Sequence, residues 1–387
     1  MNLILFDDPA FRDRLKPLVL NRPVAGLRCG IYTLQEKWEN GVGGSASFLT
    51  EGYLSQKYPS VFSLDNLYIN AHLLPNEQIL AEILALKEGE ALRSKTGILL
   101  AARTSKIFEF GFAFEGGIAF EGEFDFIQSL PDLFLKNGAQ IKEDYKFFQK
   151  NRDSQPITDP HTVTYGEVFV GKDVSIRAAI LSAVDGPIIL DEGAIIQEGA
   201  IIIGPTYIGK NSMVAFGAKI RSNTSLGPNC RVGGEVGNSI FQAYSNKAHD
   251  GFLGNSYIGA WCNLGANTNN SNLKNNYKEV LLHSYQSGKL EPSGQIFCGT
   301  FMGDYTKAGI STMFNTGTVV GISSNVFGAG FQSKYIPSFT WGGEAEGYTK
   351  YKLDKAIEVI QATMTRKEEI LEKEEERILA YLAEKGL

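Results

Sequence analysis

The chain has 387 residues, enough for two or three domains. Its 43% hydrophobic and 21% charged residues are the balance of a soluble globular protein, and a net charge of -6 argues against a nucleic-acid or membrane-surface partner. The four cysteines (Cys29, Cys230, Cys262, Cys298) form no C-x-x-C pair and no metal-ligand spacing, the pattern of reduced thiols in a cytoplasmic protein.

Residues 1–6 are apolar, but Asp7-Asp8 ends the run and no basic region precedes it, so no signal peptide is read here. No stretch approaches the ~18–20 apolar residues of a spanning helix. Residues 2–6 predict a strand, and residues 67–69 a second one ending at Asn70. Residues 77–86 carry Ile79, Leu80, Ile83, Leu84 and Leu86 and predict a helix. A further strand is expected over 97–102. Strands mixed with helices point to an α/β layer over residues 1–155. Residues 151–160, with Asp153, Ser154, Pro156, Asp159 and Pro160, read as a linker.

From Leu190 an aliphatic residue returns every six positions: Ile196, Ile202, Ile208, Val214, Ile220, Leu226 and Val232. A small residue stands four places after each of the first seven, from Ala194 to Cys230. The phase returns at Met302, Ala308, Phe314, Val320 and Val326, and Val170 and Ile176 look like an offset start. This is the hexapeptide signature of a parallel β-helix, spanning residues 156–345. The aliphatic side chain fills the axis and the small one turns in near a corner. Gly171, Gly209, Gly227, Gly303 and Gly321 follow the aliphatic position, where a permissive backbone is expected to ease the corner. Between about residues 237 and 299 the phase is lost. This stretch holds His249, one of only four histidines, and the polar run from Asn267 to Asn272. Irregular polar excursions on a rigid scaffold are where sites tend to lie.

Residues 346–387 predict a C-terminal helix. Leu353, Ile357, Ile360, Met364, Leu371, Ile378 and Leu382 fall at steps of three and four, interrupted by Lys367 and Glu374. A helix docked on its own domain is expected rather than a long coiled coil.

The segment SNKAHDGFLGNSYIGAWCNLGANTNNSNLKNN, with Glu235-Val236 before it, resembles the bifunctional N-acetylglucosamine-1-phosphate uridylyltransferase/glucosamine-1-phosphate N-acetyltransferase family, and still more a divergent branch of it. The resemblance implies an N-terminal nucleotidyltransferase-like fold and a C-terminal left-handed β-helix. It also implies a homotrimer with acetyl-transfer sites between neighbouring helices, acetyl-CoA as co-substrate, and a role in UDP-N-acetylglucosamine-type synthesis. It makes His249 the general base and Glu235 the carboxylate that orients it. Arg221 is implied to hold the sugar phosphate, and Asn263 and Asn272 to line the sugar pocket. Phe252 and Leu273 replace tyrosines. Gly237-Asn238 replaces a lysine pair, for which Lys247 is expected to compensate.

In the first domain Arg14, Lys16 and Arg22 resemble the later part of the nucleotidyltransferase fingerprint. Asp8-Pro9-Ala10-Phe11-Arg12-Asp13 replaces its Gly-rich loop, Val24 its lysine, and Asn70 its metal-binding aspartate. Without glycines a loop brings fewer backbone N–H groups to phosphate, and without the carboxylate Mg²⁺ binds less well, so Mg²⁺ enters only if this domain is active. Acetyl transfer itself needs no metal. It needs a base for the amine proton, which an imidazole supplies, and donors for the oxyanion, expected from backbone N–H groups near Gly265. Cys262 has no histidine beside it in sequence and is not expected to carry the acyl group. Two other readings stay open: a sugar-1-phosphate nucleotidyltransferase only, or a non-catalytic trimeric scaffold that binds a nucleotide sugar.

Overall fold

The computed structural model describes residues 1–150 and 152–387; Asn151, the first residue of the expected linker, lies outside them. Contacts divide the described residues into two compact units. The first holds Met1–Leu15, Asn21–Leu27 and Tyr32–Ser129, and the second Lys16–Leu20, Arg28–Ile31 and Leu130–Leu387. The helix Leu130–Phe148, which the sequence reading left in its N-terminal domain, makes its contacts in the second unit.

The first unit is a six-stranded mixed sheet with helices. Strand Asn2–Phe6 lies between Ala46–Leu49 and Asn66–Asn70, parallel to both. Leu99–Thr104 then pairs antiparallel with Asn66–Asn70. The expected strands and the helix at Glu77–Ala85 are present. A helix at Leu34–Val42 is additional. Its signal was in the sequence: Thr33 and Glu36 form a reciprocal cap, with Glu36 N donating to Thr33 Oγ1 at 3.2 Å and Thr33 N to Glu36 Oε2 at 2.6 Å.

The second unit is built on a parallel β-helix. Its inward columns are read from the register. One runs Ile176, Ile196, Val214, Val232, Lys247. Another runs Leu181, Ile202, Ile220, Val236, Leu253. A third runs Val170, Leu190, Ile208, Leu226, Phe241, Ile258, Met302, Val320, Ile336. Apart from Lys247 and the half-buried Ile176, these residues are buried in one apolar cluster.

The β-helix does not stop where the sequence phase is lost. Ile202 pairs with Ile220 eighteen residues on, but Ile220 pairs with Val236 after sixteen, Val232 with Lys247 after fifteen, and Val236 with Leu253 after seventeen. Corners lose residues while the strands stay in register. One coil instead gains a long excursion, so Ile258 pairs with Met302 forty-four residues on. That excursion contains the hairpin Leu281–His283 with Leu290–Pro292.

The glycines after the aliphatic position serve a purpose other than the expected one. Their φ angles are not positive; left-handed backbone at the corners falls instead on residues such as Asn211, Asn223 and Asn229. A Cβ at Gly227 would sit 1.9 Å from Gln242 O, and one at Gly209 2.6 Å from Leu226 O. These positions need glycine because the next coil's backbone passes against them.

The tail also differs from the expected single helix. It forms two helices, Leu353–Thr365 and Lys373–Lys385, with Glu368 at φ 60 between them. The buried face of the first helix is apolar; that of the second adds Glu375 to Ile378, Leu379 and Leu382, and Glu375 Oε1 accepts from Tyr305 Oη at 2.9 Å.

Gly227→Ala is expected to destabilise the second unit by about 1–3 kcal/mol or more through overpacking. Gly52→Ala, where a Cβ meets nothing within 4 Å, is the control and is expected to be near neutral. Denaturant unfolding of both variants measures the contrast.

Candidate functional site

Three structural choices converge near the point where the sequence phase is lost. The coil carrying Val232 turns through only Gly233 and Gly234 before strand Glu235–Gly237. The coil above turns through residues 248–251 between strands Asn246–Lys247 and Phe252–Gly254. The glycine pair lets this larger corner settle onto the coil below. A Cβ at Gly233 would lie 2.5 Å from Ala248 O, and one at Gly234 2.6 Å from Gly251 O. His249 and Asp250 are therefore at an exposed tip on the edge of the solenoid. Phe216 and Ile310, each two residues past an axis residue as His249 is past Lys247, lie along the same edge and are each 76% exposed. Among the described residues none hydrogen-bonds the His249 ring.

Glu235 stands on the adjacent face, in register with Lys219 below and Phe252 above. No hydrogen bond joins it to His249 among the described residues; Glu235 Oε1 accepts from Arg221 Nη1 at 3.4 Å. Both side chains are substantially exposed, and such a pair is weak enough to be exchanged for a ligand.

On the far side of that face lies a cavity of about 410 Å³. Arg221 and Asn272 line it, as do Phe252 and the Gly237-Asn238 pair. The sequence reading missed Asn223 and Asn255 and, from the excursion, Gln295, Ile296 and Phe297. Asn223, Asn238 and Asn255 have φ angles of 59, 47 and 50, so three left-handed asparagines stand at successive corners. Asparagine recurring just after the aliphatic positions was the available signal. Asn272 Nδ2 donates to Asn255 Oδ1 at 2.8 Å, which fixes the amide facing the cavity.

Other expected site residues are elsewhere. Asn263 is exposed on the third face, in register with Asn246 and Lys307, and does not line the cavity. Lys247 is 1% exposed and occupies an axis position. Its Nζ donates to His249 O at 2.9 Å and to Gly233 O at 3.3 Å. It therefore has no access to a sugar phosphate, which corrects the expectation that it replaces the absent lysine pair. Burial pushes its pKa down to about 8, with Asp250 opposing the shift. Gly265 N is also committed, donating to Ala308 O at 2.9 Å, and is not available as the expected oxyanion donor. Cys262 is buried with its Sγ 3.2 Å from Gly303 O.

In the first unit the segment that replaces the Gly-rich loop is the short helix Pro9–Arg12. Asp8 caps it, accepting from Ala10 N at 3.0 Å. Arg12 is wholly buried and pairs with Asp7 at 2.9 Å; Asp7 also accepts from Val24 N at 2.9 Å and Thr50 Oγ1 at 2.6 Å. Asn70 is fully buried: its Nδ2 donates to Leu99 O at 2.9 Å and Asp8 Oδ2 at 3.3 Å, and its Oδ1 accepts from His72 N at 3.1 Å. With Asp7 paired to Arg12 and Asp8 committed to the helix cap and the neutral Asn70 amide, these residues are a poor fit for Mg²⁺, which prefers free charged oxygens. Arg14 is exposed with its guanidinium 5.4 Å from the Phe11 ring, and Arg22 is half-buried. Lys16 belongs by its contacts to the second unit.

The buried lysine makes a signed prediction. Its folded pKa of about 8 lies below the ordinary 10.5, so between these values the unfolded chain binds more protons and stability rises with pH. Lys247→Met lacks this contribution. The wild type is expected to gain stability relative to Lys247→Met as pH is raised across that window. Urea unfolding at several pH values measures it, and a difference that does not change with pH would contradict it.

A family model described as sugar nucleotidyl transferase matches residues 3–153. The family match extends past the first unit, through the helix Leu130–Phe148. The bifunctional protein GlmU of Methanococcus maripaludis is 36% identical over 149 residues, 38% of this chain and 35% of the relative. A bifunctional sugar-1-phosphate nucleotidylyltransferase/acetyltransferase of Sulfurisphaera tokodaii is 32% identical over 146 residues, 37% and 36% of the two chains. The match thus spans about a third of the relatives' length. The solved Arabidopsis UDP-N-acetylglucosamine acyltransferase covers 55% of this chain and 80% of its own at 13% identity and a TM-score of 0.31, and the β-helix here rests on its own strand register instead. The resemblance is supported to this extent: residues 3–153 match a sugar nucleotidyl transferase model, and relatives similar over part of the chain are named as bifunctional nucleotidylyltransferases and acetyltransferases.

Proposed function

We propose that the β-helix transfers an acyl group from acetyl-CoA to the amine of an amino-sugar phosphate, with glucosamine 1-phosphate as the first acceptor to test. The observation that carries this reading is the exposed corner of residues 248–251, which presents the unbonded His249 ring at one edge of the face whose other side holds a cavity lined by Arg221, asparagine amides and Phe252. A neutral amine attacks the thioester carbonyl, the imidazole takes the amine proton, and the CoA thiolate leaves. Glu235 orients the imidazole once a ligand draws Arg221 away from it. The exposed Phe216 and Ile310 along the His249 edge favour a homotrimer in which a neighbouring copy covers that edge. In this reading Asn263, on the face beyond the edge, serves the neighbour's site.

For the first unit, the committed Asn70 and the capped turn at Asp8 favour binding of a nucleotide sugar without turnover. Arg14 and Arg22 are the cations proposed to hold it. Together the two units fit a place in UDP-N-acetylglucosamine-type synthesis in the cytoplasm. No helix among the described residues is long and apolar enough to cross a membrane.

Thiol release from acetyl-CoA with glucosamine 1-phosphate tests the reading. His249→Ala is expected to lower the rate by about 10²–10⁴-fold. Activity unchanged in that variant, or no thiol release by the wild type with any amino-sugar phosphate, would sink it.

A further inference from the structure

A lysine at an axis position of a β-helix is out of keeping with every other inward residue of its column. Ile176, Ile196, Val214 and Val232 precede it, and Leu264, Ala308 and Val326 continue the same strands. A desolvated ammonium costs stability unless its donors are matched, and a leucine or methionine would fill this place without that cost. The charge is retained at the one coil whose corner carries His249.

The geometry points to Lys247 as a positioning residue for His249, holding the corner from inside the solenoid. Two hydrogen bonds carry the argument. Nζ donates to His249 O at 2.9 Å, which turns that peptide carbonyl toward the axis, and to Gly233 O at 3.3 Å, which ties the corner to the coil beneath. With the carbonyl anchored inward, the peptide at His249 cannot rotate without breaking a charge-assisted bond in a low-dielectric interior. The corner's other anchors fall beside the His249 peptide rather than on it: Asp250 O accepts from Asn267 N at 2.9 Å and Gly251 O from Glu235 N at 3.1 Å, while the tip is exposed and ends at Gly251 with a φ of 122. The glycine pair below completes the arrangement, since neither Gly233 nor Gly234 has room for a Cβ beneath residues 248–251. Lys247 touches no substrate in this account. It acts on the imidazole through the backbone.

This inference rests on His249 as the base, but its test separates the two. Lys247→Met keeps an unbranched side chain of similar length in the axis and removes both hydrogen bonds. Val232→Met perturbs the same column one coil below, directly under Lys247, without removing either Lys247 hydrogen bond, and is the control. In acyl transfer, Lys247→Met is expected to lower kcat by about tenfold or more, with KM for the amine within about twofold, because a misplaced base affects the reacting step. Val232→Met is expected to leave kcat within about twofold. The second readout needs no turnover: the His249 imidazole resonances, assigned by their loss in His249→Ala. They are expected to shift or broaden in Lys247→Met and to stay put in Val232→Met. Unmoved resonances in a folded Lys247→Met would overturn the positioning role whether or not the protein proves to be an acyltransferase. If Lys247→Met fails to fold, Gly233→Ser, which presses on Ala248 O from below, must move the same resonances, and their failure to move would also overturn it.

Discussion

Each coil of a parallel β-helix must fill the axis with its own side chains, because the next coil passes about 4.8 Å away and leaves no room for water or for voids. Much else in the second unit follows from that packing. The aliphatic columns are buried, the small residues tuck in beside them, and glycine is required wherever one coil's backbone runs against the next. Corners can shorten or lengthen freely so long as the inward residues keep their register. The solenoid thus passes without a break through coils whose pairing steps are eighteen, sixteen, fifteen and seventeen residues.

That tolerance is also what makes a site possible. Function needs irregular backbone, and the corners are where irregularity leaves the core intact. A two-residue corner under a four-residue one creates the exposed tip with His249, and the long excursion after Asn270 supplies Ile296 and Phe297 to the cavity wall. The axis yields at a single coil of its column, where Lys247 takes the place of an aliphatic residue. The cost of burying an ammonium stands there against the anchoring of the corner beside it.

The regular parts of the chain were legible because period six, period two and helical spacing each leave a distinct trace. Ile196 to Val232 announced the solenoid, and residues 2–6 and 67–70 the sheet of the first unit. What escaped was set by three-dimensional neighbours. Asn223, Asn238 and Asn255 share a wall of the cavity, but their spacing in sequence varies with corner length. Lys247 was expected to stand in for the absent lysine pair because the phase that would have placed it on the axis had already slipped by three residues. The glycines were expected to ease the corners by a permissive backbone, whereas they make room for the next coil, since close approach and positive φ cannot be distinguished from residue type alone. In the tail, Lys367 interrupts the apolar stripe where the chain turns at Glu368, which separates two helices rather than blemishing one.

The first unit gives the same lesson in reverse. Its sheet lies beside a buried Arg12–Asp7 pair, while Asp8 and Asn70, at the positions that resemble a phosphate loop and a metal-binding aspartate, are committed to the protein's own hydrogen bonds. The acyl transfer we propose belongs to the solenoid, and the position of the His249 ring relative to a bound amine tests that proposal most directly. A crystal structure with an amino-sugar phosphate and CoA should place the sugar amine within about 3 Å of a His249 ring nitrogen, directly or through one water. An amine held elsewhere, with the His249 corner unliganded, would contradict the account.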